Sequence, residues 1–224
     1  MSQQAADRRL QRKLVAWWIL VGGLAVLGFA AQASEDESPQ DVLYRYDAAL
    51  FGGFFYLLIL GVVLAIASGL DLREAFALRR PRSWAAAAGI AFGLLVALLA
   101  VTAVLEPVLG AGEEQGLDPS GWRPERAAAL ALNAVVTALL GPLVEELLFR
   151  GLGFHLLAQF GHIAAIVVTA IAFALTHGIA VGLPIFFIIG VGLGFIRSRT
   201  GSIYPPFLLH AGFNGLALVA GVLN

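Results

Sequence analysis

The chain has 224 residues, 59% hydrophobic and 13% charged, with mean hydropathy +0.86 and formal net charge -1. Soluble domains are nearer half apolar and a quarter charged, so this composition implies an all-α, polytopic transmembrane bundle. The length allows about seven spans of ~20 residues and leaves no room for a second, soluble domain. The charge balance offers no basic face for nucleic acid. The absence of cysteine excludes disulfides, thiol catalysis, lipoprotein acylation and Cys-ligated metal.

Residues 1–13 are polar and basic, with Arg8, Arg9, Arg12 and Lys13. The first apolar run spans 14–33 and opens on Trp17 and Trp18, a pair suited to a membrane interface. A basic start, an apolar run and Ala31-Gln32-Ala33 also resemble a secretory signal. The run is longer than the ~7–15 residues of a signal core, so the expectation is an uncleaved first span. An acidic loop at 34–47 precedes a second span at 48–68. A basic stretch at 69–83 carries Arg73, Arg79, Arg80 and Arg82, and Pro81 ends any helix there. A third span follows at 84–105, then a loop at 106–126 rich in Gly, Pro and acids.

The fourth span begins near Ala127 and is predicted to turn near Phe160-Gly161-His162. The fifth runs from about Ile163 to His177, with Gly178 as a C-cap. The sixth is short, 183–196, and ends in Arg197 and Arg199. Pro205-Pro206 suits the first turn of a seventh helix. The organisation is thus a basic N-terminus at 1–13, three spans at 14–126 and a four-span core at 127–224. Ten of the fourteen Lys and Arg fall before Leu14, at 69–83 and at 197–199, against three in the other loops. The bias predicts a multi-pass cell-membrane protein with a cytoplasmic N-terminus and a non-cytoplasmic C-terminus.

Glu145, Glu146 and Arg150 interrupt the fourth span. An ionised side chain in hydrocarbon costs at least ~2.5–3.5 kcal/mol, so three within six residues need a reason, either a structural ion pair or a site that does chemistry. Glu146 and Arg150 are four apart with the acid on the N-terminal side, the favoured i,i+4 order. Glu145 points about 100° away from Glu146. Glu146 is therefore expected to pair with Arg150, leaving Glu145 as the free carboxylate, suited to a general base. Counted from the turn near Phe160, Glu145 lies roughly 22 Å up its helix and His177 roughly 24 Å up the next. His210 and Asn214 lie roughly 12 and 18 Å up the last helix and share one face. Glu145 beside His177 could polarise a water, and His210 with Asn214 could donate hydrogen bonds to an oxyanion. Taken singly, His177 and the His210–Asn214 pair read first as interhelical hydrogen bonds, and only the conjunction of the three sets favours chemistry. Phe173 reads as core packing, His155 and His162 as solvated or capping groups, and Asn133 and Thr137 as interhelical hydrogen-bonding groups.

Glu145-Glu146-x-x-x-Arg150, Phe173-x-x-x-His177 and His210-x-x-x-Asn214, in that order, resemble the three motifs of the CPBP family of intramembrane proteases. That family includes the type II CAAX prenyl endopeptidases and bacteriocin-processing and self-immunity proteins. The approach Arg199-Thr200-Gly201-Ser202-Ile203-Tyr204-Pro205-Pro206 is similar too, and the resemblance covers about 127–218. It implies a helical membrane fold whose catalytic cavity opens toward the cytoplasmic side. It implies hydrolysis of a peptide bond in a membrane-associated protein or peptide. Glu145 and His177 would activate the water, His210 and Asn214 would stabilise the oxyanion, and Glu146, Arg150 and Phe173 would support the site. The family is often labelled metalloprotease. Glu145, His177 and His210 could form an open three-ligand zinc site, and a metal-free glutamate–histidine pair is an equal alternative. There is no His-Glu-x-x-His signature and no Gly-x-Ser-x-Gly element. The competing classes are a proton-coupled transporter and a catalytically silent scaffold or immunity protein. Against the transporter, the chain shows no two similar halves with matching broken helices.

Overall fold

The computed structural model describes residues 3–34, 41–110 and 121–223. Among these the chain is a bundle of helices without strands. Six helices are long and apolar enough to cross a membrane: α1 (Gln3–Ala33), α2 (Tyr46–Ala67), α3 (Trp84–Leu109), α4 (Pro124–Phe160), α6 (Leu183–Thr200) and α7 (Tyr204–Leu223). Between α4 and α6 lies α5 (His162–Thr176), apolar but only 15 residues long. At 1.5 Å per residue it rises about 22 Å, short of a ~30 Å hydrocarbon core. The chain is thus a multi-pass membrane protein with six full-length candidate spans and one shorter apolar helix. Phe51, Phe54, Phe92, Val104 and Val108 stand exposed along the long helices, as side chains solvated by lipid would. The acidic loop and the loop before α4 lie in large part outside the described residues.

Local chemistry sets the helix ends. Ser83 Oγ accepts Ala86 N–H at 3.2 Å and starts α3. Gly201, with φ 65°, closes α6 in the left-handed conformation that favours glycine. At the end of α2, Lys13 Nζ donates to Ser68 O at 2.8 Å and Arg9 Nη2 to the same oxygen at 3.3 Å. Cations of α1 thereby meet the carbonyl end of α2, where the helix dipole is negative.

The bundle has two distinguishable ends. At the basic end, Arg79 Nε donates to Gly201 O at 2.8 Å. The 69–83 segment there is largely exposed but sends a short buried stretch, 75–77, into the bundle. Asp71 caps a single helical turn (Leu72–Ala75), and Phe76 and Ala77 are buried beneath the bundle. At the other end, Leu43 and Tyr44 cluster with Leu130, Leu218 and Val222. There Asn133 Nδ2 lies 2.9 Å from Leu43 O and 2.8 Å from Arg45 O, tying the turn before α2 to α4. Asn133 thus makes the interhelical link expected of it.

The sixth helix extends to Thr200, beyond the expected end at 196. Arg197, expected among the flanking charges, is buried. It donates to Arg150 O at 2.9 Å and lies 4.9 Å over the Phe154 ring. Small residues bring α6 against α5: a Cβ on Gly190 would lie 2.9 Å from Ala170 Cα. Such close backbone approach is a common way to pack helices in lipid.

Candidate active site

The site is built on an irregular stretch of α4. Two π-helical segments, Val136–Leu140 and Leu147–Gly153, flank the turn Gly141–Glu146. π segments bond N–H groups five residues back and recur at functional sites. Gly141 N–H bonds to Val136 O in this register. The next residue, Pro142, has no N–H, so Thr137 O at the same spacing is left for another donor. Asn214 Nδ2 of α7 supplies it at 3.0 Å. In the second segment, Trp17 Nε1 of α1 donates to Leu148 O at 3.0 Å, and Arg197 takes the oxygen of Arg150. Gly153 leaves room for the Trp17 ring, which a Cβ there would approach to 2.6 Å.

Glu146 and Arg150 form the expected pair. Arg150 Nη1 lies 3.1 Å from Glu146 Oε1, and both side chains are fully buried. The guanidinium also donates to Gly190 O at 2.9 Å and sits 4.6 Å over the Phe173 ring. Charge, carbonyl and aromatic face thus surround a cation that would otherwise be costly in the membrane. His210 Nδ1 donates to the same Glu146 oxygen at 3.0 Å. Phe173 is buried among Phe149, His177 and His210, with ring centroids 4.6–5.6 Å away.

Glu145 faces elsewhere, as the helix wheel requires. Its Oε1 accepts the Tyr56 hydroxyl of α2 at 3.1 Å. Its Oε2 lies 3.7 Å from His210 Nε2, a facing contact too long for a hydrogen bond. The carboxylate side chain is 20% exposed where Glu146 is fully enclosed. His177 follows the last turn of α5. Its Nδ1 lies 2.8 Å from Phe173 O and its ring stacks on Phe186 at 4.0 Å. Those two contacts fix the imidazole plane and leave Nε2 free of the Phe173 carbonyl.

A cavity of about 1340 Å³ lies among these groups. Tyr56, Glu145, His177, His210 and Asn214 line it together with Thr137, Phe55 and Phe186. Glu146 and Arg150 are not on its wall. The four residues expected to do chemistry therefore share one space; of the three expected to support it, Glu146 and Arg150 lie behind and Phe173 is on the wall. His155 is half-buried near the end of α4, and His162 faces Ser198 Oγ at 3.3 Å. Neither joins the cavity. Tyr56 was not singled out in the sequence, although it is the one polar side chain in the apolar run 48–67.

The cavity reaches from the polar cluster toward the helix ends remote from the basic end, where Ala31 of α1, Phe51 of α2, Gly110 of α3 and Gly221 of α7 line it. The basic end is filled by Trp17, Phe76, Leu152 and Ile196, all buried. The resemblance implies a cavity open to the cytoplasm, whereas Ala31, Phe51, Gly110 and Gly221 lie toward the end opposite the basic one.

The three-ligand metal set is not assembled. Among the described residues no three His, Asp or Glu side chains gather as ligands. His177 directs Nδ1 to Phe173 O, and His210 directs its two nitrogens to two different carboxylates. The metalloprotease label gains no support from this donor arrangement.

Residues 127–216 match the family model described as type II CAAX prenyl endopeptidase Rce1-like. The match runs from α4 into α7 and holds every residue of the three motifs, which bears out the resemblance read from them. No curated protein and no solved structure matches the chain.

Proposed function

We propose that this chain, which belongs to the CPBP family by residues 127–216, hydrolyses a peptide bond of a membrane-associated peptide or protein by a water held between Glu145 and His177. The family supports an intramembrane CAAX-type protease in general terms, and the residue roles are our reading. One observation carries it: Glu145, His177, His210 and Asn214 line a single cavity, while Glu146 and Arg150 stand enclosed behind it.

Glu145 takes a proton from the water as its oxygen attacks the scissile carbonyl carbon. The carbonyl oxygen becomes an oxyanion and accepts an N–H from Asn214 Nδ2 and, when the ring carries a proton on both nitrogens, a second from His210 Nε2. The second hydrogen of the Asn214 amide remains available while the first is held by Thr137 O. The C–N bond then breaks, and the proton on Glu145 passes to the leaving amine nitrogen. Glu146 orients His210 through Nδ1, so Nε2 faces the reacting centre.

The test is cleavage of a set of membrane-anchored peptides, prenylated and unprenylated, by purified protein in proteoliposomes, with products read by mass spectrometry. Wild type should release defined fragments, and Glu145→Gln should slow release by ~10²-fold or more. Identical product traces from the two proteins would sink the peptidase reading and leave a transporter or scaffold.

A further inference from the structure

Glu145 does not stand alone on α4, and the group that meets it comes from outside the 127–216 match. Resting on the reading of Glu145 as the base, we propose that Tyr56 of α2 is its positioning residue. The hydroxyl donates to Glu145 Oε1 at 3.1 Å. The other oxygen, Oε2, is the one turned toward His210 at 3.7 Å. Holding one oxygen fixes the rotation of the carboxylate and presents the other to the cavity.

The surrounding chain is shaped for this contact. Gly141 precedes Glu145 by one turn and shares its face. A Cβ there would lie 2.8 Å from Tyr56 Cζ and 2.9 Å from its hydroxyl oxygen, so the phenol is seated directly on the Gly141 backbone. One turn earlier on α2, Gly52 and Gly53 lie against Val136 of α4, at 3.4 and 3.7 Å from where their Cβ atoms would be. Small residues on both helices thus set the approach that lets a tyrosine reach the carboxylate. A tyrosine serving only to join two helices would affect stability. A positioning tyrosine affects turnover and the carboxylate itself.

Tyr56→Phe removes the donor, and Gly141→Ala pushes the phenol away without altering Glu145. Both are purified beside wild type and Glu145→Gln, and peptide cleavage, melting temperature and infrared spectra are measured. The Glu145 band is the carboxyl band that Glu145→Gln lacks. Loss of one hydrogen bond to a charged group should lower kcat roughly tenfold with KM within about twofold. Melting temperatures should stay near wild type, and the Glu145 band should move in both variants. An unmoved band in Tyr56→Phe, or undiminished kcat in active protein, overturns the inference. A band that moves in a wild-type background cleaving no peptide upholds the Tyr56 contact and overturns the peptidase reading instead.

Discussion

Arg150→Ala is the sharpest perturbation of the polar core. The wild-type guanidinium is fully buried, pairs with Glu146 at 3.1 Å, donates to Gly190 O at 2.9 Å and lies 4.6 Å over Phe173. Deleting it leaves Glu146 enclosed with no counter-charge, and only His210 Nδ1 still donates to it. Stranding one partner of a buried pair costs about 3–5 kcal/mol. For a chain of this size each kcal/mol shifts the melting temperature by roughly 2–4 °C, which gives a drop of roughly 6–20 °C. Glu146→Gln strands the cation instead and should fall in the same range. Glu145→Gln strands nothing, because Tyr56 can donate to an amide oxygen as well as to a carboxylate. It should melt within about 2 °C of wild type while losing ~10²-fold or more in turnover. The assay is thermal unfolding and cleavage rate for all three variants in one detergent. If Glu145→Gln unfolds the protein while Arg150→Ala and Glu146→Gln melt like wild type, the division into a reacting and a supporting glutamate is wrong.

Three other outcomes follow from the same geometry. The chain has no cysteine, so single cysteines at Ser83 and Ala31, both exposed, report the two ends. An impermeant maleimide should label Ser83→Cys only from the cytoplasmic side and Ala31→Cys only from the opposite side. Labelling from one common side refutes the topology drawn from charge, and reversed labelling restores a cytoplasmic cavity. Gly178→Ala should lower the melting temperature, because the residue has φ 72° and a Cβ would lie 2.2 Å from Gly28 C; overpacking of this kind costs about 1–3 kcal/mol. Unchanged melting would refute the close approach of α1 and the end of α5. Exhaustive chelation should leave peptide cleavage intact, since no three ligating side chains gather among the described residues; loss of cleavage that zinc alone restores would revive the three-ligand site.

Much of this molecule was legible in one dimension. Hydropathy well above that typical of soluble domains, in runs long enough to span as helices, pointed to a helical membrane bundle, because only helices and closed barrels satisfy their backbone in lipid. The i,i+4 spacing of Glu146 and Arg150 dictated their pair, since side chains four apart on a helix face one another. The 100° step from Glu146 to Glu145 sent the second carboxylate to a different neighbour. Equal counts along antiparallel helices brought Glu145 and His177 to one level. Tertiary structure alone decided the rest. Pro142 announces a missing N–H, but only the placement of α7 shows that Asn214 fills the Thr137 carbonyl left over. Arg197 reads as a flanking charge until α6 packs on α4 and draws it inward. Tyr56 reads as one aromatic among many until α2 lies across Gly141 and sets its hydroxyl on Glu145. The side on which the cavity lies was equally hidden. Periodicity within a helix fixes directions about its own axis, whereas which ends close and which faces meet depend on contacts between segments far apart in the chain.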